Sequence, residues 1–146
     1  MIKIRVEAEC RPTESLEKVK RAISNVFNPD EITVEDLGQG YKLVVAYAYS
    51  AKGLTKLYEK LRIERILDAA RSYLLRHVED NVLVFKLNKQ VAFVGRISFI
   101  DADVESPLGP ITFTVEASDL KGLIDWLAPP TDASGRPIFE ASPPRD

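Results

Sequence analysis

The chain has the size and composition of one ordinary globular domain. Its 146 residues are 45% hydrophobic and 29% charged with a formal net charge of −2, which argues against a disordered chain and against a generic, strongly basic nucleic-acid binder. No apolar run approaches the roughly 20 residues that cross a membrane, and a lone cysteine, Cys10, excludes an intrachain disulfide. These features predict a cytoplasmic protein without a membrane partner, and scarce Asn, Gln and Met indicate a thermophile.

Charge is distributed unevenly along the sequence. Residues 52–96 hold ten Lys and Arg against five Asp and Glu, whereas residues 97–146 hold three against nine. A protein with a basic middle third and an acidic last third would bind a polyanion at one end or pair with itself. Statistical unevenness over short segments is the alternative.

The first 51 residues predict a strand, a helix and a hairpin. Met1–Cys10 alternates between apolar and charged residues, which is typical of a strand with one buried face. Thr13 is a suitable N-cap for the helical stripe that follows. Glu31–Glu35 and Tyr41–Tyr49 predict a hairpin. Because its second strand is apolar on both faces, we expect it to be central, covered on both sides, or part of a subunit interface.

The charged residues of the first helix have the spacing of surface ion pairs. Glu14 and Lys18, and likewise Glu17 and Arg21, lie four residues apart, so each pair would meet on the solvent side of the helix. The sequence therefore predicts a solvated face here and no binding site.

Residues 52–78 predict two helices in place of one. The apolar residues of 54–61 share one stripe, and those of 63–78 share another that is rotated by about half a turn. No straight helix buries both, so we predict helices at 53–60 and 63–78 with a break near Arg62. On the second helix, an arc of about 60° holds three basic residues that suit a phosphate backbone: Arg62, Arg65 and Arg76. Alternatively, these three arginines only form a solvent-exposed face of the helix.

The stretch that follows predicts three strands joined by short turns. Their ranges are 82–87, 91–100 and 111–116. The first turn, Asn88-Lys89-Gln90, would put a lysine at an exposed tip. The basic residues of this tip and its flanking strands form a second candidate contact surface: Lys86, Lys89 and Arg96.

The C-terminal part of the sequence predicts a helix and then a tail. Ser118 is a suitable cap for a helix over Asp119–Leu127, after which repeated prolines prevent regular structure. We therefore expect one α+β domain over residues 1–128 and a Pro-rich extended tail over 129–146. The predicted architecture has two layers, a mostly antiparallel sheet with helices packed on one face.

Few residues have the pattern of a catalytic or metal site. Asp101, Asp103 and Glu105 alternate, so on a strand their carboxylates would point the same way and suit Mg²⁺ or Ca²⁺. Without a turn glycine or a supporting histidine, an acidic loop is the better interpretation. Walker, zinc-ligand and nucleophile motifs are missing from the sequence, which therefore predicts no catalytic residue, no metal site and no cofactor.

Four motifs occur in the order found in one uncharacterised archaeal protein family. They are Arg11-Pro12-Thr13-Glu14, Ile66-Leu67-Asp68-Ala69-Ala70-Arg71, Leu87-Asn88-Lys89-Gln90 and Ser106-Pro107-Leu108-Gly109-Pro110-Ile111. Through Leu127 the chain resembles that family, which is described as RNA-binding, with a related branch described as exosome-associated. The resemblance implies a two-layer α+β fold like that of the ribosomal protein that binds the small ribosomal RNA of the large subunit. It implies no catalytic residues.

The resemblance and the basic middle third together predict a non-catalytic archaeal protein associated with the ribosome or with RNA processing. It would bind structured RNA through Arg62, Arg65, Arg76, Lys86, Lys89 and Arg96. The alternative is a homodimeric or protein-interaction scaffold that uses the Tyr41–Tyr49 strand and the tail. A carboxylate- or metal-dependent enzyme built on Asp101, Asp103 and Glu105 ranks third.

Overall fold

Strands and helices follow one another along residues 1–145, the part of the chain that this computed structural model describes. The strands are β1 (Ile2–Cys10), β2 (Glu31–Gly38), β3 (Tyr41–Ala48), β4 (Val78–Glu79), β5 (Val82–Asn88), β6 (Phe99–Ile100) and β7 (Pro110–Ala117). The helices are α1 (Leu16–Val26), α2 (Thr55–Ile63), α3 (Leu67–Arg76), α4 (Lys89–Phe93) and α5 (Leu120–Leu127). The predicted α+β class is confirmed.

All described strands join one antiparallel sheet in the order β2-β3-β1-β7-β5-β4, with β6 paired to β5. On β1 the even-numbered residues are buried and the odd-numbered residues face solvent, as its alternation predicts. The buried residues of β1, β3, β5 and β7 join those of the helices in one core. The opposite face carries mainly charged and hydroxyl side chains, with Leu43, Val45 and Val84 among them, and it contributes nothing to this core, so the molecule has two layers.

The predicted hairpin over residues 31–49 is confirmed. Gly38, Gln39 and Gly40 all have positive φ values, and they turn the chain between β2 and β3. Strand β3 lies between β2 and β1, the first of its three expected placements. Strand β2 forms one edge of the sheet, and every one of its residues is exposed.

The predicted break between two helices is also confirmed, at residues 64–66 and not at Arg62. Helix α2 ends at Ile63, and α3 begins at Leu67. Arg65 has a φ of 56°, which is incompatible with a continuous helix and lets the chain change direction. The amide of Ile66 then donates to the carbonyl of Leu61 across the break, at 3.1 Å.

The predicted strand over 91–100 is wrong, because most of that range forms α4 and a loop. Asn88 is the N-cap of α4, and its Oδ1 accepts the amide of Val91 at 3.0 Å. Gly95 ends the helix with a φ of +84°. Within that range only Phe99–Ile100 pairs with β5, which also pairs with β4 and β7.

Two helices begin at caps that differ slightly from the predicted ones. Helix α1 is capped by Ser15, whose hydroxyl accepts the amide of Lys18 at 3.4 Å, and not by Thr13. Helix α5 is capped by Asp119, whose Oδ1 accepts the amide of Gly122 at 2.9 Å, and not by Ser118.

Residues 129–145 contain no helix and fold back on themselves. The amide of Ile138 donates to the carbonyl of Pro130 at 2.8 Å, and Thr131 forms an isolated bridge with Pro137. Within the described chain, no helix is long and apolar enough to cross a membrane. Division into a domain over 1–128 and a tail over 129–146 stays a prediction.

Candidate nucleic-acid interface

The six predicted contact residues occupy four different places on the molecule. Arg65 and Arg96 are exposed; Arg65 follows Glu64 in the chain, and Arg96 Nε lies 3.8 Å from Glu64 Oε1. Arg76 and Lys86 line one groove near β4 and β5. Arg62 lies beneath residues 126–140, and Lys89 is buried. Neither of the two surfaces predicted from the sequence therefore exists as one site. Instead, Arg65 of the first lies near Arg96 of the second, and Arg76 of the first lies near Lys86 of the second.

Lys89 does not lie at an exposed tip, because the turn predicted around it is the first turn of α4. Its side chain is directed inward and the residue is only 3% exposed. Its Nζ donates to the carbonyls of Glu9 and Leu108, at 2.7 and 2.5 Å, and contacts Glu14 Oε2 at 3.0 Å. Three partners satisfy all three ammonium hydrogens. Lys89 therefore has no donor left for a ligand.

Three of the four sequence motifs meet around Lys89. Glu14 from the first motif also accepts the amide of Arg11 at 2.9 Å. Arg11 donates through Nη1 to the carbonyl of Pro107 at 2.9 Å. The hydroxyl of Ser106, in the last motif, donates to the carbonyl of Gly109 at 2.6 Å. These motifs thus build one corner of the fold.

Arg62 is occupied by the C-terminal segment. Its guanidinium lies 3.4 Å from the ring centroid of Tyr58 and donates to the carbonyls of Trp126 and Leu127, at 3.3 and 3.1 Å. It also pairs with Glu140 Oε1 at 2.7 Å, and this contact holds the pKa of Glu140 below its usual range. Arg62 therefore anchors the tail and offers little to a polyanion.

Arg76 and Lys86 lie in a groove that is also lined by acidic residues. Glu79, Asp80 and Asp101 line the same groove. Lys86 Nζ pairs with Asp103 at 2.7 Å. These carboxylates oppose a polyanion, so the groove is a poor phosphate site.

The three alternating carboxylates, Asp101, Asp103 and Glu105, do not converge. Asp101 pairs with His77 Nε2 at 3.2 Å, and Asp103 pairs with Lys86. Glu105 Oε1 accepts the amides of residues 101 and 102, at 3.2 and 3.0 Å. Among the described residues, no group of three acidic, His or Cys side chains has the geometry of a metal site.

A different set of basic residues lies together where α1, α2 and α4 meet. Contacts between main chain and side chain join these helices. Asn25 Nδ2 donates to the carbonyls of Ala92 and Phe93, at 3.0 and 2.9 Å. Lys56 Nζ donates to the carbonyl of Ser24, and Lys60 Nζ to that of Gly95, each at 2.6 Å. We call this region the α1–α2–α4 surface. Its basic residues are Lys18, Arg21, Lys56, Lys60, Arg65 and Arg96.

The charge balance of the α1–α2–α4 surface favours an anionic ligand. Glu59 and Glu64 are its carboxylates on α2 and in the loop that follows, and Glu14, which pairs with Lys89, borders it beside Lys18. Glu64 is partly neutralised because it accepts the amide of Ile97 at 3.0 Å and lies 3.8 Å from Arg96 Nε. Lys56 and Lys60 each spend one hydrogen on a carbonyl, so two donors per ammonium stay free for phosphate oxygens.

Apolar and aromatic side chains accompany these cations. Ile63 is 77% exposed and lines a groove with Lys56 and Lys60; Val94 is 69% exposed and precedes Gly95, whose carbonyl accepts Lys60 Nζ. Half-buried Phe93 has its ring 6.0 Å from Lys18 Nζ. Exposed apolar side chains grouped with cations are typical of a surface that a partner covers.

Sequence reasoning missed four of the basic residues on this surface: Lys18, Arg21, Lys56 and Lys60. The two on α1 had been assigned to ion pairs with Glu14 and Glu17. Glu14 instead pairs with Lys89, and Glu17 lies 3.8 Å from Lys20. The positions of Lys56 and Lys60 four residues apart on α2 were an available signal.

Comparison with known proteins identifies close and distant relatives. A family model described as RNA binding matches residues 3–117. The UPF0201 protein of Sulfurisphaera tokodaii is 49% identical over 100% of this chain and 99% of its own length. The UPF0201 protein of Aeropyrum pernix is 43% identical over 98% of this chain and 95% of its own. Both relatives come from thermophilic archaea.

Solved structures share the fold. The crystal structure of a UPF0201 protein from Methanococcus jannaschii has a TM-score of 0.83 at 31% identity, covering 94% of this chain and 99% of that one. A DUF54 protein from Methanothermobacter thermautotrophicus has a TM-score of 0.59 at 19% identity, covering 80% of this chain and 84% of that one. The more distant likeness concerns the fold alone.

Proposed function

Because the chain belongs to the UPF0201 family of archaeal proteins and matches a family model described as RNA binding, we propose that it is a non-catalytic protein that binds structured RNA. The ligand would lie on the α1–α2–α4 surface. Of the six residues predicted from the sequence, this surface includes Arg65 and Arg96.

The observation that carries the proposal is a local excess of cations on a chain whose net charge is −2. Lys56 and Lys60 lie on α2, and Arg65 and Arg96 lie in the loops after α2 and α4. The contacts of the two lysines with carbonyls hold α2 against α1 and against the loop after α4. Cations fixed on packed helices lose little freedom when phosphates bind between them. A rigid RNA helix presents phosphates in a fixed array, so structured RNA suits this surface better than a flexible strand.

Charge reversal on the α1–α2–α4 surface tests the proposal. We expect Lys60→Glu combined with Arg96→Glu to weaken binding to fluorescent stem–loop RNA by at least about tenfold at low salt. The slope of log affinity against log salt should also fall by about two, since two phosphate contacts are removed. Fluorescence anisotropy over a salt series measures both quantities.

The matched control is Lys3→Glu combined with Arg76→Glu, which changes the net charge equally at exposed residues outside this surface. We expect it to retain affinity within about twofold. Equal losses in both double variants would mean that RNA responds only to total charge. Absence of binding at low salt would overturn the proposal altogether.

We extend the proposal to association with ribosomal or RNA-processing particles in the cytoplasm, as the family resemblance implies. The native protein should cosediment with ribosomal subunits or a smaller RNA particle of its host, and Lys60→Glu with Arg96→Glu should release it. Free sedimentation of the unaltered protein at low salt would count against this extension. A likeness to the ribosomal protein that binds the small ribosomal RNA stays a prediction.

A further inference from the structure

Strand β2 leaves one whole edge of the sheet open. It pairs with β3 on one side, and within residues 1–145 nothing pairs with it on the other. All eight of its residues are exposed, although it is as long as the buried strand β3. An open edge presents backbone donors and acceptors that can pair with another extended chain.

Apolar side chains on β2 are uncovered as well. Ile32 and Val34 pair with Ala46 and Val44, which are fully buried on the helix side of the sheet. Paired residues point to the same face, so Ile32 and Val34 continue the core face beyond the helices. They are nevertheless 40% and 38% exposed, and Leu37 is about half exposed. Within residues 1–145, this extension of the core face is only partly covered.

The negative charge of the β2 edge indicates which kind of partner it could bind. Its acidic residues are Asp30, Glu31, Glu35 and Asp36, and residues 30–40 contain no Lys or Arg. The neighbouring groups offset this charge only in part. Lys42 lies opposite Asp36, and the hydroxyl of Tyr49 donates to Glu31 at 2.7 Å. Arg5 and Glu35 attract each other electrostatically.

A second copy of the same edge fits poorly. An antiparallel two-fold pairing centred on Thr33 would set Glu31 opposite Glu35 and Asp30 opposite Asp36. Like charges directly opposite each other destabilise a strand pair. RNA is disfavoured at this edge for the same electrostatic reason.

We propose that β2 is a docking edge for a partner protein, which adds an extended segment that alternates Lys or Arg with β-branched residues. The backbone of that segment would continue the sheet, its cations would pair with Glu31 and Glu35, and its apolar side chains would cover Ile32 and Val34. This site lies outside the proposed RNA surface and does not depend on RNA binding.

A short acetylated peptide that alternates Lys with Val and Thr is the probe, and the same peptide with Glu in place of Lys is its control. We expect the Lys peptide to bind the full chain at low salt and to slow hydrogen exchange of the β2 amides. Glu31→Lys combined with Glu35→Lys should weaken binding by about tenfold. Ile32→Lys should do so too, whereas Ile138→Lys, at another exposed apolar residue, should not.

Three results would overturn this proposal. The first is no binding of the Lys peptide at millimolar concentration, and the second is equal binding of the Glu peptide. The third is a stable dimer in sedimentation that Ile32→Lys converts to a monomer, which would assign the edge to a second copy. The Lys60→Glu and Arg96→Glu double variant, which should lose RNA binding, should bind the Lys peptide as the unaltered protein does. Failure of one proposal is therefore distinguishable from failure of the other.

Discussion

At the scale of single residues, buried Lys89 has a structural role in place of the predicted contact role. Its ammonium contacts two carbonyls and Glu14, and it thereby joins β1, the turn before α1, α4 and the turn before β7. Removing one partner of a buried ion pair leaves the other charged and without compensation. Replacement of Lys89 should therefore affect stability and not the surface chemistry.

We expect Lys89→Met to lower the free energy of unfolding by about 3 kcal/mol, because Glu14 and two carbonyls lose their donor inside the protein. Urea denaturation measures this change. Lys52→Met, at an exposed lysine, is the control and should change stability by less than about 0.5 kcal/mol. A similarly small effect at Lys89 would contradict the role assigned to it.

At the scale of secondary-structure elements, prediction from the sequence worked where periodicity was strong. The alternation of β1, the hairpin of β2 and β3, and the phase change between α2 and α3 all appear in the structure. The prediction failed at α4, because Val91 and Phe93 favour strands and the helix is only five residues long. The flanking signals, Asn88 as N-cap and Gly95 beyond the C-cap, were present in the sequence.

The candidate surface was harder to predict than the elements. Arg65 and Arg96 lie 31 positions apart in the sequence, and their proximity depends on how α4 packs against α1 and α2. Strand alternation had instead grouped Arg96 with Lys86 and Lys89. Charge counts along a sequence cannot reveal which lysines are consumed inside the fold, as Lys89 is.

The C-terminal segment is an element whose docking should depend on pH. Arg62 lowers the pKa of Glu140, so the ionised form of Glu140 stabilises the docked segment. This stabilisation is present above the ordinary Glu range and is lost as the pH falls through the lowered pKa. We expect acidification to loosen the segment and shift the emission of Trp126, the one tryptophan in the sequence, which stacks on Tyr58 at 5.0 Å.

Fluorescence titration from about pH 7 to about pH 3 measures this transition, with far-UV circular dichroism to detect general unfolding. Glu140→Gln is the matched variant, since it cannot ionise. Its emission should already be shifted at neutral pH and change little over that range. Identical titrations of the two proteins would show that Glu140 does not control docking.

At the scale of the whole molecule, the two proposed surfaces carry opposite charge. The α1–α2–α4 surface is built on helices, whereas the acidic edge is β2 at one end of the sheet. Charges separated by more than about 8 Å are largely screened at physiological ionic strength. Because an RNA and a basic protein segment would contact different elements, we expect them to bind together with little influence on each other at physiological salt.

We expect saturating Lys peptide to change the affinity for stem–loop RNA by less than about twofold at about 0.15 M salt. Anisotropy of labelled RNA, titrated with protein in the presence and absence of peptide, measures the coupling. The Glu peptide controls for ionic strength. Strong competition would mean that both ligands use one surface.

The central position of β1 affects how the chain folds during synthesis. Strand β1 is made first, yet one of its two neighbours is β7, which begins at Pro110. The amide of Ser118 even donates to the carbonyl of Met1, at 3.2 Å. Contacts between residues so distant in sequence slow folding. During synthesis, the β1–α1–β2–β3 unit therefore leaves one edge of β1 unpaired. This edge can pair only after β7, in the last third of the chain, has left the ribosome.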